Sequence, residues 1–277
     1  MPTIPQRTPQ VLSPHWSDLD TKIYCGDAVK ILQELPVGSV DLLFADPPYN
    51  IGYDYAEYKD TRPKGEYLGW VRQWLTALRR VANHKASLYV ASGVKYQAEI
   101  KILMDETGWK WRDTIVWHYQ FGPRQETKFT PSWVALHYAT VSDKYTWNPN
   151  PIRVPSARLL KYRDKRAVAG GKVPNNVWAL LPEEDPETFY KDDSNAWHIP
   201  RVCGTFKARV DFPCQLPLAL LDRIIKVSSN EGDTVLDPFL GSGTTVVAAR
   251  KLKRKSIGIE LTKQYVDEVV LPRLITS

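Results

Sequence analysis

Asp46-Pro47-Pro48-Tyr49 joins a carboxylate, two φ-locked residues and an aromatic ring within four positions. The preceding run VDLLFA, residues 40–45, reads as a buried strand, so the tetrapeptide lies at a strand's carboxyl end, where open α/β sheets place ligands. Consecutive prolines stiffen the turn and withhold N–H groups, which leaves the Asp46 carboxylate and neighbouring carbonyls as a cluster of acceptors. An exocyclic aromatic amine is a fitting donor. Its lone pair is delocalised into the ring. Hydrogen bonds from both amine protons to Asp46 and the Pro47 carbonyl would favour a pyramidal nitrogen and accommodate the charge that develops as it attacks an electrophile. Tyr49 adds a flat face for stacking, worth about 1–3 kcal/mol per base, and no covalent intermediate is required.

A second constellation occupies Asp233 to Glu260, DTVLDPFLGSGTTVVAARKLKRKSIGIE: a strand, a glycine turn, a helix and a second strand ending in an acid. Gly241 and Gly243 remove side chains where the backbone turns sharply towards a ligand, and Glu260, 19 residues after Gly241, stands where an acid receives ribose hydroxyls. Val246 replaces the third glycine of a dinucleotide fingerprint, and the chain has no G-x-x-x-x-G-K-[ST] loop, which disfavours nicotinamide and ATP. The stretch containing Asp237, Phe239, Gly241, Gly243 and Thr244 instead resembles the cofactor motif of S-adenosylmethionine-dependent methyltransferases, in which an acid and the loop backbone hold the methionine part.

Together the two motifs resemble those of the DNA amino-methyltransferases, which methylate adenine N6 or cytosine N4. The catalytic motif precedes the cofactor motif with an insertion between them, an order that resembles the circularly permuted beta class of that family. The resemblance spans roughly residues 22–272. It implies an α/β fold with a Rossmann-like seven-stranded S-adenosylmethionine-dependent methyltransferase sheet, circularly permuted, and an inserted target-recognition region. It also implies S-adenosyl-L-methionine as cofactor, no metal, and a flipped base in duplex DNA as substrate. Adenine N6 is the implied target, because members acting on cytosine N4 more often carry Ser where this chain has Asp46. Cytosine N4 is the alternative, and a catalytically silent DNA-binding module of the same fold is a contrasting one. Cys25-Gly26-Asp27 resembles the segment that reaches the cofactor's adenine ring, so Asp27 is a candidate there and equally a helix N-cap. Phe212 to Pro217, FPCQLP, resembles the cofactor-flanking segment, near which the methionine carboxylate would be received. A homodimer is common in the class, and the sequence leaves open a cognate restriction endonuclease.

The elements that must position these motifs alternate along the chain. Seven strands are predicted, Lys22–Cys25, Val40–Ala45, Ser87–Ala91, Thr114–His118, Val134–Val141, Thr234–Leu236 and Ser256–Ile259, with helical periodicity over Leu68–Ala82 and Pro217–Ser229. Pro217 is placed in the second helix's first turn. Alternation of this kind implies a mostly parallel sheet with helices on both faces. Residues 1–20, with prolines at 2, 5, 9 and 14, read as a mobile tail or a strap, residues 21–147 and 206–277 as the catalytic domain, and 148–205 as the target-recognition insertion.

Composition agrees with a soluble, DNA-directed reading. Hydrophobic residues are 43% and charged residues 25%, an ordinary globular balance, and no apolar run approaches the ~20 residues of a membrane helix. Cys25, Cys203 and Cys214 show no paired spacing, and no signal peptide precedes them, which fits a reducing cytoplasm without a disulfide framework or structural zinc. The net charge is +6, and the insertion concentrates basic residues at Arg153, Arg158, Lys161, Arg163, Lys165 and Arg166 against Asp164. These are candidates for phosphate contact, with an arginine or two reaching guanine edges and Tyr162, Trp178 and Trp197 packing among them. Trp117 and His118 are candidates for the base pocket. Pro213-Cys214-Gln215 imitates the nucleophile motif of cytosine-C5 enzymes, but there the cofactor loop comes first and an amine target needs no thiol, so Cys214 is expected to pack at a helix entrance.

Overall fold

The computed structural model describes residues 12–276 except 56, 119–124, 128, 155–161, 167, 169, 179–208, 211 and 213. In chain order the strands are β1 (Trp16–Ser17), β2 (Thr21–Cys25), β3 (Val40–Ala45), β4 (Ala82–Ser92), β5 (Lys110–His118), β6 (Trp133–Thr140), β7 (Val177–Trp178), β8 (Thr234–Asp237) and β9 (Lys255–Glu260). They form one sheet in the order β1-β2-β9-β8-β3-β4-β6-β5-β7. The five neighbours β2, β9, β8, β3 and β4 are parallel. β6 is antiparallel to both β4 and β5. All seven predicted strands are present, and β1 and β7, two residues each, extend the expected seven to nine.

The apolar run of β3 is explained by burial on both faces. Leu43 and Ala45 point into a core formed with α1 (Ala28–Glu34), α2 (Lys64–Val81) and α3 (Gln97–Glu106), through Leu32, Val71, Trp74 and Met104. The alternate residues Leu42 and Phe44 pack against α4 (Leu218–Ser228) and α5 (Thr244–Lys251), through Leu220, Ile224, Ala248 and Ala249. A third cluster gathers Ile23, Leu240 and Val246 with the C-terminal stretch, which runs as α6 (Lys263–Tyr265), a π-helical turn (Val266–Val270) and α7 (Leu271–Ile275).

Several boundaries differ from the sequence expectation. α2 starts at Lys64, a turn before the apolar periodicity begins, because its first turn is polar and follows Pro63. β4 and β5 are longer than their hydrophobic patterns: β4 begins at Ala82, opposite Val40 of β3, and pairing with β6 carries Lys110 of β5 into the ladder opposite Thr140. Pro217 is the N-cap of α4, one position before the first turn where it was placed. From residue 12 the expected tail is docked: Trp16 pairs with Ile23, and the His15 ring bonds Asp267 at 2.7 Å. Asn148, where the insertion is expected to begin, bonds through its side-chain amide to the carbonyls of Lys226, in the last turn of α4, and Ser229, just after it. No helix among the described residues is long and apolar enough to cross a membrane.

Candidate active site

The parallel order brings the two distant motifs together. β3 and β8 are neighbours, with Leu43 opposite Leu236, so Asp46 and the glycine loop leave adjacent strands at the same sheet edge. β9 then adds Glu260, and β2, with Cys25 opposite Glu260, adds Asp27. A cleft of about 1110 Å³ opens over these strand ends. Asp46, Pro47, Pro48 and Tyr49 line it, as do Asp27, Phe239, Gly241, Thr244 and Glu260. Asp237 and Gly243 stand behind the wall.

In the catalytic motif the Tyr49 hydroxyl donates to Asp46 Oδ1 at 2.7 Å. The Tyr67 hydroxyl donates to the Pro48 carbonyl at 3.0 Å, anchoring the turn to α2. Gly93, just past β4, leaves room for the Tyr49 ring, since a Cβ there would lie 3.0 Å from Tyr49 Cδ2. The loop after the motif is held by Asp60, a buried carboxylate accepting the backbone N–H groups of Asn50 (2.7 Å), Ile51 (3.0 Å) and Tyr53 (2.9 Å). Asn50, at φ +55°, exchanges two bonds with the Arg62 backbone, and Lys95 Nζ donates to its carbonyl at 2.7 Å. The Arg62 guanidinium covers Tyr58 and Trp70 at 4.5 and 5.4 Å from their ring centroids. Asp60, Gly93 and Arg62 carried no motif signal. Only the fold reveals their roles.

On the cofactor side, Gly241 has φ +52°, and a Cβ there would lie 2.8 Å from Phe212 Cζ. Any other residue would be strained in backbone and would collide with a cleft wall. Glu260 Oε2 accepts the Gly241 N–H at 2.8 Å and Oε1 the Thr262 N–H at 3.0 Å. Burial pushes the Glu260 carboxyl above its ordinary range. Asp237 is the loop's internal brace: Thr245 Oγ1 donates to it at 2.6 Å and the Phe239 N–H at 3.0 Å. Burial pushes Asp237 up to about 7, against the pull of those two donors. Asp27 caps α1 through the Lys30 N–H at 2.9 Å, as expected of an N-cap, and it also lines the cleft. The Phe239 ring packs edge-on to Trp74, with centroids 5.5 Å apart.

The arrangement fits S-adenosylmethionine. Gly241 provides a side-chain-free floor, and the Glu260 carboxylate, with about four lone-pair sites, keeps acceptor capacity for a hydroxyl beside the backbone N–H groups it holds. Asp27, Asp46, Glu57 and Glu260 line the cleft with carboxylates, a suitable surrounding for a sulfonium cation. Among the described residues no group of three or more His, Cys, Asp or Glu side chains is placed to hold a metal.

The remaining candidates divide. Trp117 lines the cleft and His118 lies outside its wall. Cys214, expected at a helix entrance, also lines the cleft. In the insertion, Arg153 bonds the Asn150 side chain at 3.0 Å and the Gly171 carbonyl at 2.8 Å, bracing the Val154–Lys172 bridge. Arg163, Lys165 and Arg166 are exposed, with Arg166 paired to Asp164 at 3.0 Å. Arg158, Lys161, Trp197 and Cys203 lie outside the described residues.

Comparison with known proteins agrees with this geometry. A family model for N6/N4 DNA methylases matches residues 40–271. The type II methyltransferase M.HpaI of Haemophilus parainfluenzae is 35% identical over 251 residues, covering 90% of this chain and 73% of the relative. The DNA adenine methyltransferase YhdJ of Escherichia coli K12 is 33% identical, over 87% of this chain and 78% of the relative. Among solved structures, the complex of M1.HpyAVI with S-adenosylmethionine superposes with a TM-score of 0.60 at 20% identity, covering 92% of this chain and 98% of that one, a likeness of fold. The chain therefore belongs to the N6/N4 DNA methylases, S-adenosylmethionine-dependent enzymes that act on DNA.

Proposed function

We propose that the protein transfers a methyl group to the exocyclic N6 amine of an adenine turned out of duplex DNA. The observation that carries this reading is the Asp46 carboxylate held at the end of β3 by the Tyr49 hydroxyl at 2.7 Å, on the wall of the cleft. Asp46 and the Pro47 carbonyl accept hydrogen bonds from the two amine N–H groups, draw the nitrogen lone pair out of the ring, and offset the positive charge that builds on nitrogen. Tyr49 offers its ring to the base, backed by Gly93. S-adenosylmethionine, when bound, supplies an electrophilic methyl group. Glu260 and Asp27 would hold its adenosine part, and the loop from Phe239 to Thr244, braced by Asp237, its methionine part. Adenine is preferred to cytosine because position 46 is Asp rather than Ser, and the relative YhdJ is an adenine methyltransferase.

The insertion, residues 148–205, is the proposed target-recognition region, with exposed Arg163, Lys165 and Arg166 against phosphates. Replacing these three by Gln should weaken binding to mixed-sequence duplex and flatten its salt dependence by about one unit of slope per lost phosphate contact. An unchanged slope sinks the assignment. The proposed setting is the cytoplasm, and the proposed partner is a cognate restriction endonuclease, since the relative M.HpaI is a type II methyltransferase.

The deciding experiment incubates the protein with duplex DNA and methyl-labelled S-adenosylmethionine, then digests the product to nucleosides for mass spectrometry. Label on N6-methyladenosine supports the reading, label on N4-methylcytosine moves the target base, and no label with the cofactor bound returns the silent module.

A further inference from the structure

The C-terminal stretch supports the glycine loop, at Gly243 and Ser242 directly and at Gly241 through Phe212. Gly241 lies against Phe212, whose ring meets Tyr265 edge-on with centroids 5.1 Å apart. Gly243, at φ +78°, lies against Val270, since a Cβ there would be 3.1 Å from Val270 Cγ1. Between them, Arg273 Nη1 donates to the Ser242 carbonyl and, at 3.2 Å, to Thr244 Oγ1. Val270 closes a π-helical turn (Val266–Val270), and Arg273 follows in the next helical turn. Arg273 lies beyond the stretch matched by the family model, which ends at 271.

The Ser242–Gly243 peptide is thereby held at both polar ends: its carbonyl by Arg273, its N–H by the Leu240 carbonyl at 2.9 Å. This restraint matters because glycines on either side of Ser242 populate positive and negative φ with similar ease, so the peptide has alternative orientations open to it. Ser242 and Thr244 line the cleft, whereas Arg273 does not. Among the described residues no carboxylate forms a salt bridge with Arg273, and its Nη1 serves the loop.

We propose that Arg273 is a positioning residue for cofactor binding, fixing the Ser242–Gly243 peptide so that the loop is preorganised for the methionine part of S-adenosylmethionine. The proposal rests on the reading of this loop as the cofactor cradle. It predicts an effect on cofactor affinity and not on the chemical step or on DNA affinity, because among the described residues the polar partners of Arg273 are Ser242 and Thr244 of the loop.

The test compares wild type with Arg273→Met, which keeps an apolar stem and removes every donor, and Arg273→Lys, which keeps one charged donor without the fork. Binding of S-adenosylhomocysteine is measured by titration calorimetry, alongside thermal melting without ligand. Arg273→Met is expected to bind at least tenfold more weakly, with Arg273→Lys in between. In steady state KM for S-adenosylmethionine should rise in parallel while kcat at saturation and KM for DNA stay within twofold. Arg273→Met binding within twofold of wild type overturns the proposal, as does a loss confined to kcat. Should Arg273→Met not fold, the lysine variant decides by the same KM and kcat comparison. Wild type that fails to bind S-adenosylhomocysteine overturns instead the cradle on which the proposal rests.

Discussion

The Tyr49 hydroxyl donates to Asp46 Oδ1 at 2.7 Å, so the motif's aromatic residue orients its acid as well as offering a ring. The two roles separate by substitution. Tyr49→Phe keeps the ring and releases Asp46, and loss of a hydrogen bond to a charged acceptor, about 1.5–3 kcal/mol, corresponds to a fall in kcat of roughly 10- to 100-fold. Tyr49→Ala also loses stacking and should raise KM for DNA. Asp46→Ala removes the acceptor itself and should cost roughly 10²-fold or more. Single-turnover methyl transfer measures all three. Full activity in Asp46→Ala would falsify the mechanism.

Gly241 and Phe212 should be coupled energetically, because the Cβ added by Gly241→Ala would stand 2.8 Å from the Phe212 ring. The single substitution is expected to weaken S-adenosylhomocysteine binding by more than tenfold. Adding Phe212→Ala removes the collision and leaves the strain of φ +52°, so the double variant should recover part of the loss. Additive losses across the cycle, measured by calorimetry, would mean that the contact is irrelevant and the backbone angle alone decides.

Asp237 makes stability pH-dependent in a defined direction. Burial holds its carboxyl at about 7 in the folded chain, whereas an unfolded aspartate titrates near ~4. Between those values the folded state keeps a proton that the unfolded state has lost. The group's contribution is therefore complete below about pH 4 and is lost as pH rises through about 7. Asp237→Asn cannot ionise. Its unfolding free energy relative to wild type should rise by about 2–3 kcal/mol between pH 5 and 8, at about 1.4 kcal/mol per unit. Urea titrations at intervals across that range measure the difference, and a constant offset rejects it.

His137 slopes the other way. Burial between Ser92 and Thr114 lowers its pKa to about 4, so the unfolded chain binds the extra proton and stability falls as pH drops from about 6.5 to 4. The isosteric variant His137→Gln should lose that acid sensitivity. Melting temperatures of both proteins at pH 4.5 and 7 test it, and equal acid losses would clear His137 of the role.

The parts of the site that could be read from the sequence are those written locally. Asp46 to Tyr49 and Asp237 to Glu260 declare themselves because proline, glycine and acid stand at the ends of apolar runs, where a strand must turn. β3 was located to the residue because both of its faces are buried. The ends of β4 and β5 were not, because pairing with β3 and β6 extends them through polar residues that carry no apolar alternation. Gly93, Phe212 and Arg273 act across the fold, on Tyr49, Gly241 and Ser242, and no spacing rule connects such pairs.

Asp60 is the clearest case of a residue whose role exists only in the folded chain. One carboxylate accepts three consecutive-loop N–H groups, from Asn50, Ile51 and Tyr53, directly after the catalytic motif. Of these donors the Asn50 N–H is buried, and an orphaned buried N–H costs about 1–3 kcal/mol. In Asp60→Ala the three amides lose their acceptor together, and the segment that follows Tyr49 is released. Hydrogen exchange at residues 50–53 should quicken by at least tenfold while β3 and β4 remain protected, and kcat should fall with S-adenosylhomocysteine affinity unchanged. Asp60→Asn, with one acceptor oxygen left, should lie between. Unaltered exchange at these amides would show that the loop is held by its other anchors, Lys95 and Arg62 on Asn50, and that Asp60 is dispensable to the site.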